Sequence, residues 1–425
     1  MLDLKLIREN PDAVRAGLEK KREPGVAEKL ATIIDLDRYR REIIQRVEAL
    51  KATRNAVSDQ IGTIKREKGD ASALMEQMRG VSDEVKVLDE SLRQIDVDME
   101  DAVAWLPNIP HESVPVGTSA ADNVVVHLHG DATGGDFPLH DHLEIGKRLG
   151  LFDFERGAKI AGSGFPVYTG KGAALERALI NFMIDTHTTQ HGYTEIFPPF
   201  VVNEASLRGT AQLPKSREDM YKCEEDDLYL IPTAEVPITN LHRDEVLKLE
   251  QLPVKYCGYS ACFRREAGSY GKDTKGFLRV HEFNKVELVK FSLPEHSFDE
   301  LESLTRNAET ILELLNIPYR RLLLCTGDTS FASAKTYDLE AWAPAEQKWL
   351  EVSSCSNFMD FQARRANIKF KRDAKAKPEL VHTLNGSGLA TSRVMVALLE
   401  NNQTPDGTVI VPKVLHKYTV FTVIS

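Results

Sequence analysis

Residues Cys257 to Lys290 read CGYSACFRREAGSYGKDTKGFLRVHEFNKVELVK, alternating charge, aromatic rings and glycine in a way that packing alone does not require. Tyr259 to Arg264 and Val280 to Val289 carry strand patterns. In the second, Val280, Glu282, Asn284, Val286 and Leu288 alternate with His281, Phe283, Lys285, Glu287 and Val289. The intervening AGSYGKDTKG holds three glycines and two lysines. A hairpin needs roughly two to five loop residues, so about ten flexible cationic ones point to a loop kept for a ligand. Arg264 and Glu266, at i and i+2, leave one face of a strand, as do Phe283 and Glu287 at i and i+4. That face can offer a guanidinium fork to a phosphate or carboxylate, and a carboxylate to an amino group on a flat base. By spacing alone, a surface hairpin with cross-strand salt bridges is the commoner account of the same residues.

Working outward, a chain of 425 residues with 42% hydrophobic and 28% charged content fits a soluble globular protein of two or three domains. The start, MLDLKLIRENPD, carries charges where a signal peptide has an apolar segment, and no run of about 18 apolar residues follows. A cytoplasmic protein without membrane attachment is expected. Five cysteines, Cys223, Cys257, Cys262, Cys325 and Cys355, form an odd, irregularly spaced set without a CxxC pair, so reduced thiols are expected rather than disulfides or structural zinc. A net charge of -10 argues against indiscriminate nucleic-acid binding; any RNA must meet local basic surface.

Such surface occurs near the N-terminus. A short helix from Asn10 and a polar stretch around Lys20 to Gly25 precede two heptad segments, with seam positions 33, 36, 40, 43, 47, 50, 54, 57, 61 and 64, then 74, 78, 81, 85, 88, 92, 95, 99 and 102. The 3-4 alternation predicts an antiparallel coiled-coil hairpin over about 33–102, turning at Gly69-Asp70. Each arm would be on the order of 50 Å long, and such a hairpin is expected to project from a globular core. Residues 35–68 carry nine Lys/Arg against six Asp/Glu, a net +3, while 70–101 carry three against ten, a net -7. RNA is expected at the first helix; an oligomerisation coiled coil is the other reading. Arg40 and Arg54 occupy seam positions, and pairing about the turn sets them opposite Asp98 and Glu84.

Pro107 to Pro115 forms a stiff linker, so the domains are divided as 1–110 and 111–425. His127, His129, His140 and His142 carry no ordered set of further ligands, and a metal reading is disfavoured. Gly172 to His191 is an amphipathic helix leading into GYTEIFPP. A short strand, Leu228 to Ile231, precedes Thr233-Ala234-Glu235; a helix runs from Leu293 to Leu315, and Thr336 to Leu350 continues the sheet. Glu351-Val352-Ser353-Ser354 sets an acid and a hydroxyl three apart, a hard-oxygen pair or simply a strand end. Asn385 to Val394 is expected to open the final helix, its small residues admitting an anion. The absence of GxxxxGK[ST], GxSxG and HExxH removes P-loop, nucleophile-elbow and zinc-hydrolase readings.

Phe263-Arg264-Arg265-Glu266 with Arg279-Val280-His281-Glu282-Phe283 resembles the second signature motif of class II aminoacyl-tRNA synthetases. The loop residues Lys272-Asp273-Thr274, with Lys285-Val286-Glu287, are similar to bacterial-type seryl-tRNA synthetases. Gly172 to Pro199 resembles the first motif, which builds that family's dimer interface, and Asn385 to Val394 the third. The resemblance implies an α+β protein: the helical arm, plus an antiparallel sheet of six or seven strands flanked by helices. It implies ATP-dependent activation of L-serine to seryl-adenylate and transfer to the 3′ end of tRNA(Ser), with tRNA(Sec) where present. By motif match, Arg264 would bridge the serine carboxylate and the α-phosphate, Glu266 take the adenine amine, Phe283 stack on the base and Arg393 hold the γ-phosphate. Arg265, Val280, Val352 and Ser353 would complete the ATP site, and Glu351 with Ser354 would hold Mg²⁺. Thr233, Ala234, Glu235, Glu287, Asn385 and Ser387 would join Arg264 around serine. The arm would grip the long variable arm of tRNA, the protein would be a homodimer, and zinc is not expected. A paralogue that loads a carrier protein should lack the arm, and a non-catalytic scaffold should lack charged site residues. The tail after Pro412 is more apolar than the family's usual end.

Overall fold

The computed structural model describes residues 1–134, 137–267 and 275–425, and the chain forms two compact units. Met1–Glu19 with Glu23–Pro107 make the first; Lys20–Arg22 with Asn108–Ser425 make the second. The loop residues Lys272, Asp273 and Thr274 lie outside the described residues.

In the first unit, α1 (Val26–Arg66) and α2 (Ser72–Ala104) pack along the expected seam. Ile43, Val47 and Leu50 meet Val85 and Ile95, with Leu36, Val81, Leu88 and Leu92 half-buried beside them. Toward the turn Val57, Ile61 and Ile64 are only half-buried and Arg54 is exposed. The seam arginines pair differently from expectation: Arg40 meets Asp96 at 2.6 Å rather than Asp98, and Glu84 takes Arg46 rather than Arg54. Extended guanidinium side chains span more than a helical turn, so opposition of backbone positions does not select their partners. Exposed pairs of this kind contribute at most about 1 kcal/mol. Asp37, off the seam, is buried because the helix Leu4–Glu9 places Arg8 on it with bonds of 2.6 and 2.9 Å; these hold its carboxyl below the usual range.

The second unit is built on one sheet. Its strands are β1 (Val124–His129), β2 (Thr194–Glu195), β3 (Val254–Phe263), β4 (Glu282–Ser292), β5 (Tyr319–Leu323), β6 (Lys335–Ala343), β7 (Lys348–Met359) and β8 (His382–Ala390). They run in the order β1-β5-β6-β7-β8-β4-β3-β2, antiparallel except for β2 beside β3. Eight strands exceed the expected six or seven; the edge strand β2 has only two residues, too few to show a period.

The helices of this unit include α3 (His142–Leu149), α4 (Gly170–Thr189), α5 (Ser297–Leu314) and α6 (Thr391–Asn401). Leu175, Leu179 and Met183 of α4, Leu304 and Ile311 of α5, and Val394 and Leu398 of α6 form one core with Val286 and Leu288 of β4. Each fully buried side chain of this size contributes about 1.5–3 kcal/mol. The apolar tail belongs to this core. Leu415 and Ile424 are fully buried in it, Val409–Ile410 pairs with Val423–Ile424, and the Tyr418 hydroxyl donates to Asp185 at 2.6 Å. The opposite-facing residues of β4 divide: Val289 and Phe291 join a second cluster with Ala234 and Ile238, whereas Phe283, Lys285 and Glu287 line a cavity.

Two expected placements change. Asn385 to Gly388 lie on β8, not at a helix start, because α6 begins only at Thr391. The first strand of the hairpin ends at Phe263, leaving Arg264 to Glu266 outside regular pairing, with Glu266 at φ +52°.

Candidate functional site

The cavity of about 320 Å³ lies against β4, β7 and β8, with Arg264 and Glu266, just beyond the end of β3, in its lining. Two bulges shape its wall. Between β6 and β7 the register runs Leu339↔Ser353, then Glu340↔Glu351, so Val352 is the extra residue. Residues three apart on a regular strand point oppositely; one inserted residue turns Glu351 and Ser354 to the same face. A second bulge, with Glu287 opposite Ser387 and Val286 opposite Leu389, makes Gly388 the extra residue on β8. It lets Asn385, Ser387 and Ala390 all reach the cavity.

At one end, Glu287 is almost fully buried and is the hub of a polar network. Its Oε2 accepts from the Thr233 hydroxyl at 3.0 Å and meets Lys285 Nζ at 2.6 Å, while Oε1 accepts from Asn385 Nδ2 at 3.0 Å. Lys285 Nζ also donates to Thr233 Oγ1 at 2.9 Å. Beside it, Glu235 Oε1 accepts from Gln362 Nε2 at 2.7 Å, and Gln362 Oε1 accepts from Thr383. Burial, reinforced by Glu287, pushes the Glu235 carboxyl up to about 7. This pocket offers acceptors and donors to a small zwitterion with a hydroxyl.

The other end gathers guanidinium groups. The Arg264 guanidinium lies 5.1 Å from the centre of the Phe283 ring, and its Nε donates to the Pro232 carbonyl at 3.4 Å. Arg393, in the first turn of α6, donates to the Leu278 carbonyl at 3.1 Å and the Glu351 carbonyl at 2.9 Å. Glu266 pairs with Arg279. An aromatic face, two fixed guanidinium groups and a carboxylate suit a base carrying a phosphate chain.

The structure brings together Thr233, Glu235, Arg264, Glu266, Val280, Phe283 and Glu287 with Glu351, Val352, Ser353, Ser354, Asn385, Ser387 and Arg393 on this one cavity. Ala234 instead sits in the second hydrophobic cluster, and Arg265 is exposed, its N–H bonding the Asp219 carbonyl. Ser353 is buried, donating to the Ser387 carbonyl at 2.7 Å, so it braces the wall. Lys285, Arg279 and Gln362 were not among the expected site residues. Lys285 was readable as the residue between Phe283 and Glu287 on the same face; Gln362 carried no local signal.

Glu351 and Ser354 present the hard oxygens that Mg²⁺ takes, with the Glu351 side chain half-exposed. Of the histidines, His127 and His129 lie on the edge strand β1, His129 stacking on Tyr319. His140 pairs with Glu144, and His142 is fully buried.

Comparison with known proteins places the whole chain. Residues 1–110 match the seryl-tRNA synthetase N-terminal domain, and residues 221–402 match the class II tRNA synthetase core domain for G, H, P, S and T. A serine–tRNA ligase of Chloroherpeton thalassium is 60% identical, covering 98% of both chains, and one from Chlorobium phaeobacteroides is 58% identical over the full length of both. The crystal structure of seryl-tRNA synthetase from Pyrococcus horikoshii complexed with ATP matches at TM-score 0.96 and 40% identity, over 100% of this chain and 99% of that one. The cytoplasmic serine–tRNA ligase of Naegleria fowleri, in complex with AMP, matches at 0.89 and 29%, with the same coverage. At 60% and 58% identity to serine–tRNA ligases over nearly its whole length, and with the N-terminal domain of that family over residues 1–110, the chain belongs to the seryl-tRNA synthetase family.

Proposed function

We propose that this ligase performs both of its half-reactions in the cavity described, with serine at the Glu287 end and ATP at the Arg264–Arg393 end. The observation that carries the reading is that Arg264 lines the same cavity as the Glu287 network and its charge reaches Glu235, which suits a meeting of carboxylate and α-phosphate beside it. Serine's carboxylate attacks the α-phosphorus, pyrophosphate departs, and seryl-adenylate remains. A 3′-terminal ribose hydroxyl of tRNA then attacks the adenylate carbonyl, releasing AMP.

In this reading Arg264 spans the carboxylate and the α-phosphate, a fixed cation where charge develops. Phe283 offers its face to adenine, Glu266 accepts from the exocyclic amine, and Arg393 holds the terminal phosphate. Glu351 and Ser354 would hold Mg²⁺, which when bound neutralises phosphate charge. Thr233, Glu235, Glu287, Asn385 and Ser387 receive serine's ammonium and hydroxyl. Alanine would leave these groups unpaired and threonine would add a methyl to a filled pocket, so both should be rejected.

We assign tRNA(Ser) binding to the arm, where α1 carries the basic excess and α2 the acidic one. A homodimer through α4 and the Gly192–Pro199 segment is supported by Phe197, which is 75% exposed on an apolar surface beside Phe200 and Tyr259. No helix of the described residues is long and apolar enough to cross a membrane. Pyrophosphate exchange with serine, run with and without tRNA(Ser), tests the reading. Exchange without aminoacylation would favour a carrier-loading enzyme, and loss of both a non-catalytic one.

A further inference from the structure

The nucleotide end of the cavity is held by a short segment, Lys275 to Arg279, that belongs to neither strand of the hairpin. Two of its groups fix ligand-facing side chains: the Leu278 carbonyl accepts from Arg393, and Arg279 pairs with Glu266. What holds the segment itself is a cluster at the start of α3. Lys275 Nζ donates to Asp141 at 2.5 Å, and the Phe277 N–H donates to His142 Nε2 at 3.4 Å. Close approach is required here, because a Cβ on Gly276, at φ +58°, would lie 2.2 Å from that same nitrogen.

His142 is in turn oriented from behind. Its Nδ1 faces Glu400 Oε1 at 3.5 Å and Glu346 Oε1 at 3.7 Å. Glu400 ties these pieces together, Oε1 accepting from the His142 N–H at 3.2 Å and Oε2 from the N–H groups of Ala345 at 2.9 Å and Glu346 at 3.2 Å. The trio His142, Glu346 and Glu400 has the composition of a divalent-metal site, its ligand atoms lying within 4.8 Å of one another. A metal on Nδ1 would leave the ring proton on Nε2, directed at the Phe277 N–H, so two donors would face each other. The Phe277 N–H instead makes Nε2 the acceptor, which sets the ring proton of the neutral imidazole on Nδ1, the nitrogen facing the two carboxylates.

We propose that His142 is a positioning residue for nucleotide binding: by accepting the Phe277 N–H it fixes the Lys275–Arg279 segment, and through it Arg393 and Glu266. The serine end is built separately, on β4, β8 and the Thr233–Glu235 turn, so the coupling is one-sided. The proposal rests on the assignment of ATP to the Arg393 end, and its test separates the two.

In full-length enzyme, ATP and serine KM values are measured by pyrophosphate exchange for wild type, His142→Leu, His142→Gln, Gly276→Ala and Arg393→Ala. His142→Leu and Gly276→Ala should raise the ATP KM at least about fivefold, since small misplacements of binding groups are costly, while the serine KM at saturating ATP stays within about twofold. His142→Gln, whose amide oxygen can accept the Phe277 N–H, should recover most of the ATP affinity. Equal increases in both KM values, or no recovery with Gln, would overturn the proposal by making His142 a general packing residue. An unchanged ATP KM in Arg393→Ala would defeat the nucleotide assignment instead. Should His142→Leu fold poorly, Gly276→Ala probes the same contact from the other side, and a wild-type ATP KM there would overturn the proposal.

Discussion

Replacing Glu287 with Gln should unfold the enzyme more easily and also silence it, and the two effects can be separated. Lys285 and Glu287 are 7% and 1% exposed and 2.6 Å apart, so each charge is stabilised by the other and by little water. Glu287→Gln turns an amide toward the buried ammonium, and breaking a buried pair from one side costs roughly 3–5 kcal/mol. Lys285→Met leaves Glu287 its Thr233 and Asn385 donors but sets it, uncompensated, beside Glu235. The double variant removes both charges and should regain at least about 2 kcal/mol relative to the sum of the singles, since an apolar replacement of a buried pair is often neutral. Urea unfolding followed by Trp342 and Trp349 fluorescence reads the second unit, with Trp105 of the first replaced by Phe. A loss of about 3 kcal/mol moves the midpoint by roughly 1 M for an m value near 3 kcal/mol per M. A coupling energy below about 0.5 kcal/mol would refute the reasoning. So would a stable double variant that still activates serine, because the carboxylate would then not be the ligand group.

Arg264→Ala should lower pyrophosphate exchange at least a hundredfold, about 3 kcal/mol, with the fold intact by circular dichroism; activity within about threefold of wild type would contradict its role. The Glu235 carboxyl, pushed up to about 7 by burial, must be ionised to receive serine's ammonium. The serine KM should therefore be flat near pH 8, rise as pH falls through 7 and be about tenfold higher at pH 6, and a flat profile would remove Glu235 from the site. A variant with residues 35–101 replaced by a short linker should keep serine-dependent exchange but lose aminoacylation, and intact enzyme should bind tRNA(Ser) less tightly as salt rises. Normal charging of tRNA(Ser) by that variant would move the arm to another role.

The sequence alone determined whatever repeats or spaces itself locally. Period two marked the paired strands around Phe263 and Phe283, and period seven marked the arm down to its Ile43, Val47 and Leu50 seam, because both patterns come from the geometry of a single element. Motif order then placed Arg264, Glu287 and Arg393 in one family. Only the tertiary structure decided the rest. Glu351 and Ser354 share a face because a neighbouring strand imposes a bulge, and Arg265 faces away because pairing stops at Phe263. The tail is apolar because α4 offers it a surface, and Lys285 is inward because Glu287 and Thr233 are there to receive it. His142 meets Phe277, Glu346 and Glu400 across long stretches of chain, and no local periodicity encodes which distant segments come together. Contacts of that kind depend on register and bulges settled by the packed sheet as a whole.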